Sequence, residues 1–283
     1  MWTLLGRAQK QMTTESSVQS DGIDPSVPTA AGMYDYYLGG RNNFAADRRA
    51  ANKVIAAAPE VILMARENRG FIQRAVRFLA RDAGIRQFLD IGSGLPTQGS
   101  VHEIAQAEAP DARVVYVDND PQVLARSRAL KTAEAKNTSV ITADLRDPDV
   151  ILNHPETRAQ IDFDQPMAIL LVAVLHFIDD EADPYAIVAS LRDSMAPGSY
   201  LVINHATADP RPENAGGAAE VYKNTKYPAT HRTRDQIERF FDGAPLIDPG
   251  LVFVPEWRPD IETDITPEEV WILGGVGRKP TVD

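Results

Sequence analysis

From about residue 85 onward the chain alternates short apolar runs with longer amphipathic stretches, and this βαβα order constrains the fold more than any other feature. It favours a parallel sheet covered on both faces, because parallel neighbours need a long crossover that a helix supplies. Strands are expected at Gln87–Ile91, Arg113–Asp118, Ser139–Ala143, Met167–Val172 and Tyr200–Asn204. The helices between and after them are expected at Gly99–Ala109, Pro121–Ala135, Asp149–Gln160, Pro184–Met195 and Arg234–Phe241. Asp120 before Pro121 reads as an N-cap followed by proline at the first helical position, and Thr233 with Gln236 has capping-box spacing. Two later β-like runs, Leu251–Trp257 and Val270–Gly274, have no clear helix between them and suit an antiparallel hairpin at the sheet edge. Upstream, Phe44–Ala58 and Val61–Ala83 look helical; in the second, Phe71, Ala75, Phe78 and Leu79 recur at helical spacing before a stop at Gly84. The expectation is an α/β, doubly wound, mostly parallel seven-stranded sheet with an N-terminal helical cap. Residues 1–25 would form a tail, 26–84 cap and lid helices, and 85–283 the core of one globular unit.

Charge and composition narrow the partners. A formal net charge of -11 argues against nucleic acid, whose binding draws affinity from Lys and Arg on phosphates, and favours a small-molecule substrate. The absence of cysteine excludes disulfides, thiolate metal sites and a cysteine nucleophile. Met1 to Lys10 lacks the long apolar stretch of a secretory signal, and Ala168–Leu175 is far too short to cross a bilayer. No export and no membrane span are expected, with the cytoplasm as the default location.

The sharpest local feature is Phe88-Leu89-Asp90-Ile91-Gly92-Ser93-Gly94, an apolar strand running into a glycine turn with a helix soon after. Glycine has no Cβ and tolerates positive φ, so a nucleotide-like ligand can lie against this backbone; alone, the pattern also fits a simple tight turn. Asp118 closes the second strand, where a carboxylate can accept both ribose hydroxyl hydrogens, and Asn119 follows it. Asp144 and Leu145 close the third strand, within reach of an adenine amino group. Strand-ending aspartates also cap helices, but three at consecutive strand ends line one crevice. The turn lacks the third glycine of a dinucleotide site, and Asp90 would oppose a diphosphate while suiting a cationic ligand.

Four segments carry a resemblance. Tyr34-Asp35-Tyr36-Tyr37-Leu38-Gly39-Gly40-Arg41-Asn42-Asn43-Phe44, Phe88 to Thr97, Val115-Tyr116-Val117-Asp118-Asn119-Asp120-Pro121 and Leu171-Val172-Ala173-Val174-Leu175-His176-Phe177 resemble a bacterial S-adenosyl methyltransferase-like family, formerly a domain of unknown function. The likeness spans about Asp24 to Gly277, and Ser100 departs from it where the family pattern has Asn. It implies the Rossmann-like methyltransferase fold and S-adenosylmethionine as cofactor, with S-adenosylhomocysteine as product. A sulfonium and an ammonium group match the charge of the acidic crevice. The implied cofactor-binding set is Tyr36, Gly39, Gly40, Asn43, Asp90, Gly92, Ser93, Gly94, Asp118, Asn119, Asp144, Leu145 and Ala173.

The 34–44 run reads as a lid. Its tyrosines can cover a sulfonium by cation–π attraction, and its glycine pair can admit the methionine end, although a structural turn under the cap helices fits the same residues. Methyl transfer to a hydroxyl or amine can use a base, and His176 and then His205, each just after a strand, are the catalytic candidates; either also suits a structural role. His102, His154 and His231 show no metal-ligand spacing, and no metal site is expected. Residues 206–233 contain Pro210, Pro212, Gly216, Gly217, Tyr222, Tyr227 and Pro228, and read as an acceptor-side loop or an ordinary surface excursion. A catalytically silent S-adenosylmethionine-binding or regulatory protein and an NAD-dependent oxidoreductase are the alternatives.

Overall fold

The structure, a computed structural model, describes residues 22–96, 99–130, 137–223, 225–262 and 264–281. Three N-terminal helices, α1 (Ala30–Tyr37), α2 (Ala45–Ala57) and α3 (Val61–Arg81), lead into β1 (Gln87–Ile91), α4 (Val101–Glu108), β2 (Arg113–Asp118), α5 (Pro121–Leu130) and β3 (Thr138–Thr142). Next come α6 (Pro148–Asn153), α7 (Pro155–Gln160), β4 (Ala168–Leu171), α8 (Pro184–Ser194), β5 (Tyr200–Ala206), α9 (Pro212–Tyr222), α10 (Arg234–Glu238), β6 (Val252–Phe253) and β7 (Ile272–Arg278).

The strands form one seven-stranded sheet in the order β3-β2-β1-β4-β5-β7-β6. β1 to β5 are parallel, while β7 pairs antiparallel with both β5 and β6. The two late strands are thus antiparallel as expected, and β7 lies between β5 and β6. The order turns around between β1 and β4, which opens a crevice beyond the carboxyl ends of these strands.

Alternation along each strand builds a core on both faces. Phe88, Val114, Ala168, Leu170 and Val202 face one side, where Phe71, Val76 and Leu79 of α3 and the buried Trp257 cover them. Leu89, Ile91, Val115, Val117, Ile169 and Ile203 face the other, against Ile151, Val188, Leu191 and Phe240. The run Ala168–Leu171 is therefore apolar throughout, as a strand covered on both faces must be.

Three local features differ from expectation. Residues 30–37 are a helix, N-capped by Thr29 accepting from the Gly32 N–H, and the expected lid begins inside it. Residues 212–222, read as irregular, also form a helix with Pro212 at its first turn. Gly217 there lets α9 approach α2, since a Cβ at that position would sit 3.1 Å from the Ala57 Cβ. The expected helix 149–160 breaks at His154-Pro155, because the proline disfavours helical backbone in the residue before it. The helix expected to reach Ala135 is described to Leu130, and residues 131–136, like 1–21 of the expected tail, lie outside the described residues.

Candidate functional site

Beyond the carboxyl ends of the strands lies a cavity of about 240 Å³ lined by strand tips on one side and by the N-terminal helices and α9 on the other. Ten of the cofactor-binding and catalytic candidates line it: Asp90, Gly92, Ser93, Gly94, Asp118, Asn119, Asp144, Leu145, Ala173 and His176. Parallel pairing brings the acids together: β1 and β2 run in register from Gln87 opposite Arg113, and Asp118 pairs with Thr142, two residues before Asp144.

The turn after β1 is fixed by its neighbour, with the N–H groups of Gly92 and Ser93 donating to the Val117 carbonyl at 2.8 and 3.2 Å. The two glycines answer different needs. A Cβ on Gly92 (φ 78°) would sit 2.5 Å from Val174 Cγ2, so this glycine makes room for the segment after β4. Gly94 (φ 66°) faces open space, and its N–H donates to Asp118 Oδ2 at 2.8 Å. The Asp120 N–H holds the other oxygen at 2.9 Å, which orients the Asp118 carboxyl and leaves lone pairs for further donors.

Burial pushes the Asp118 carboxyl up to about 6, against the pull of three backbone N–H groups, those of Asp120, Gly94 and Asn119. Burial likewise pushes Asp90 up to about 7, with Arg69 drawing it down and Asp118 raising it further. Among the described residues no hydrogen bond reaches the Asp90 carboxyl. Asp144 differs: burial would raise it, but the Arg146 N–H at 2.9 Å, the Asn119 side chain at 2.8 Å and the Arg146 guanidinium together hold it below the usual carboxylate range.

Opposite these tips, a buried relay reaches down from the cap. The Asn68 side chain donates to the Tyr34 hydroxyl at 2.7 Å, Tyr34 donates to the Ala65 carbonyl at 3.1 Å, and Asn204 Nδ2 donates to Asn68 Oδ1. Asn204 Oδ1 accepts the Ala173 N–H at 2.7 Å, holding that alanine at φ 55° directly after β4. Asn68 and Arg69, both lining the cavity, were missed in the sequence. The available signal was an asparagine on the apolar stripe of α3, in step with Met64, Ala65 and Ile72.

Tyr36, Gly39, Gly40 and Asn43 do not line the cavity; Tyr34, Asp35 and Tyr37 do. The Tyr36 hydroxyl donates to Asn52 at an exposed position. Asn43 donates to Asp35 Oδ2 at 2.7 Å and to the Gly40 carbonyl at 3.0 Å, and a Cβ on Gly40 would collide with the Asp35 carboxyl. The segment is tied to the core through Gln122, whose side chain donates to the Asn42 carbonyl at 2.6 Å.

The histidines separate as well. His205 is fully buried outside the cavity lining; its Nε2 faces the Arg232 guanidinium at 3.0 Å and its Nδ1 meets the Ala206 carbonyl at 2.7 Å, so both nitrogens are engaged. That placement removes it as a base acting at the cavity. His176 lines the cavity with a buried Nδ1 that has no hydrogen-bond partner among the described residues, and burial, helped by His231 and Arg232, pushes it down to about 3. His231 also lines the cavity, its ring against Trp271 at 5.8 Å between centroids. No group of three or more acids and histidines among the described residues is arranged to hold a metal, and no helix among them is long and apolar enough to cross a membrane.

The sequence profile of the S-adenosyl methyltransferase family matches residues 16–280. The chain belongs to that family. Two crystal structures share most of the chain with this S-adenosyl methyltransferase: a Thermobifida fusca protein described as a candidate methyltransferase (45% identical, 94% of this chain and 100% of the other, TM-score 0.87) and a Streptomyces avermitilis protein of the domain-of-unknown-function family 574 (41% identical, 91% and 99%, TM-score 0.87). An O-methyltransferase family protein from Burkholderia thailandensis, 15% identical over 75% of this chain and 56% of its own, shares the fold with a TM-score of 0.51. No curated protein matches the chain. The protein is a methyltransferase that uses S-adenosylmethionine, on the seven-stranded fold expected of that class.

Proposed function

We propose that the acidic strand tips hold the adenosyl and methionine parts of S-adenosylmethionine and that the methyl group goes to a small molecule entering beside His176, in the cytoplasm. The observation that carries this reading is the convergence of Asp90, Asp118 and Asp144 on one cavity with the open Gly94 turn. The donor set suits the cofactor: an oriented carboxyl with spare lone pairs for a ribose diol, and a buried carboxyl without a hydrogen-bond donor for a positive charge. Asp118 would hold the ribose, Asn119 and Asp144 with Leu145 the adenine edge, and Asp90 with Ser93, Gly94 and Ala173 the methionine end.

When bound, the cofactor supplies a methyl group already activated by its sulfonium, so the protein's task is mainly positioning. The Tyr34–Asn68–Asn204 relay performs part of it by holding Ala173 and the segment after β4 in one conformation. α1 and α9 wall the cavity beside His176 and His231. Calorimetric titration with S-adenosylhomocysteine tests the placement: Asp118→Ala is expected to weaken binding about 30- to 100-fold, the loss of charge-assisted hydrogen bonds to a diol. Unchanged affinity in a folded variant would move the ribose elsewhere.

A further inference from the structure

The cavity is divided by chemistry. Most of its charged groups, Asp90 with Arg69, Asp118, Asp120, and Asp144 with Arg146, sit at or beside the strand tips, while Asp35 on α1 and Lys226 after α9, which lies over the Tyr227 ring, complete the set. The remaining half is walled by Val54, Met64, Ala218, Ile272 and the rings of Tyr37, Phe177, Tyr222 and Trp271, with His231 among them. The polar ends of these rings are already used: the Tyr37 and Tyr222 hydroxyls meet each other at 3.3 Å, and the Trp271 indole N–H donates to Glu60 at 3.1 Å. Within that half His231 has no hydrogen bond in the protein among the described residues, and its only ring contact is Trp271.

His231 also differs from its two histidine neighbours. His205 is locked between Arg232 and a carbonyl, and His176 packs edge-on against His205 at 5.5 Å and against Phe177 at 4.4 Å, beside the same guanidinium. A proton on either would stand against Arg232, which itself is anchored by Asp180 and by the Leu175 and Ile178 carbonyls. The His231 ring meets Trp271 edge-on at 5.8 Å between centroids and makes no hydrogen bond to Arg232 among the described residues. His231 is close enough to His176 and His205 to act on both, Arg232 follows it in the chain, Glu60 holds the indole of the Trp271 ring it meets, and Tyr222 and Lys226 line the same cavity.

Resting on the cofactor placement above, we infer that the methyl acceptor is an uncharged, flat aromatic hydroxyl compound held among Tyr37, Phe177, Tyr222 and Trp271, with His231 taking its proton. In the transfer the acceptor oxygen bonds the methyl carbon as the carbon–sulfur bond breaks, the electron pair stays on sulfur, and the hydroxyl proton passes to the His231 imidazole. Aromatic walls reward a planar ring through edge-to-face contact, and a cavity lined by five aspartates against Arg69, Arg146 and Lys226 penalises a further carboxylate.

The test uses three probes on the full-length chain saturated with S-adenosylhomocysteine: 2-naphthol, its saturated counterpart decahydro-2-naphthol, and 6-hydroxy-2-naphthoate. By calorimetry, 2-naphthol is expected to bind about tenfold more tightly than either of the others. Equal or tighter binding of the saturated or the charged probe, or no binding of 2-naphthol to a protein that does bind S-adenosylhomocysteine, overturns the acceptor class and leaves the cofactor placement standing. Failure to bind S-adenosylhomocysteine at all overturns both. With labelled S-adenosylmethionine, His231→Gln is expected to lower kcat for 2-naphthol about 100-fold with KM little changed, and the rate should recover as pH rises toward ionisation of the naphthol itself. No transfer to bound 2-naphthol in the wild type, an undiminished kcat in the variant, or a defect that persists unchanged at high pH removes His231 as the proton acceptor.

Discussion

The two halves of the cavity are built by different rules. The half at the strand tips comes from consecutive β–turn–α units, so Asp90, Asp118 and Asp144 lie roughly 25 to 30 residues apart and reach one edge because parallel strands end together. The aromatic half is gathered from Tyr37, Phe177, Tyr222, His231 and Trp271, which share no local pattern and meet only through the packing of α1 and α9 over the sheet. The first half is polar, hydrogen-bonded and repetitive in construction. The second is apolar and specific to this arrangement of helices, so its lining can change without disturbing the tips.

The largest effect expected at their junction is that of Gly92→Ala. The new Cβ would enter Val174, and the backbone sits at positive φ, so overpacking and strain together should cost about 2–4 kcal/mol, with cofactor binding lost alongside. Gly94→Ala has the same backbone penalty without the collision and should cost about 1 kcal/mol. Thermal unfolding of both variants separates the two roles; equal losses would show that Val174 yields. The relay joining the halves comes next: Asn204→Ala leaves the Ala173 N–H and the Asn68 Oδ1 without partners and should cost about 1–3 kcal/mol, read as a melting point lowered by about 2–5 °C. A shift below 1 °C would mean that water or a neighbour replaces the amide.

A pH series sharpens the electrostatic side of the contrast. In the free protein Asp90 and Asp118 are raised to about 7 and about 6, so the folded state binds protons more tightly than the unfolded chain between roughly pH 4 and 7. Two signs follow. Stability of the free protein should fall as pH rises through that window, and affinity for the cationic cofactor should rise as the carboxyls ionise, by no more than about tenfold per pH unit for each group. Calorimetry from pH 5.5 to 8 checks the second; an affinity flat across that range would show that neither carboxyl meets the positive charge.

Legibility in the sequence followed the same division. The bounds of β1 and β2 were readable to the residue because apolar runs ended in aspartate and turn residues, and the acids at their ends pointed to the crevice. α1 and α9 were not readable as helices. Each is short and amphipathic only weakly, and their glycines and prolines resemble loop punctuation; Gly32 and Gly217 are there because Asp47 and Ala57 pack against them. His205 looked like a candidate because it follows the same strand logic as His176, yet the buried Arg232, 27 residues away in sequence, claims its free nitrogen. Contacts across such separations leave no local trace, which is also why His231 carried no signal beyond its identity.

The smallest effect expected concerns Tyr36, where sequence and structure give different weight to the same segment. Its hydroxyl donates to Asn52 at an exposed site outside the cavity lining, so Tyr36→Phe removes one surface hydrogen bond worth well under about 1 kcal/mol. Its neighbours Tyr34 and Tyr37 line the cavity from the same short helix, with Tyr34 buried in the relay and its hydroxyl pushed up to about 12 by burial. Affinity for S-adenosylhomocysteine should therefore change less than about twofold in Tyr36→Phe, while Tyr34→Phe, which strips a hydrogen-bond partner from Asn68, should weaken binding several-fold. A tenfold loss in Tyr36→Phe would reverse the ranking: it would mean that α1 rotates on binding and brings the outer tyrosine over the ligand, making the 34–44 segment a moving cover instead of a fixed wall.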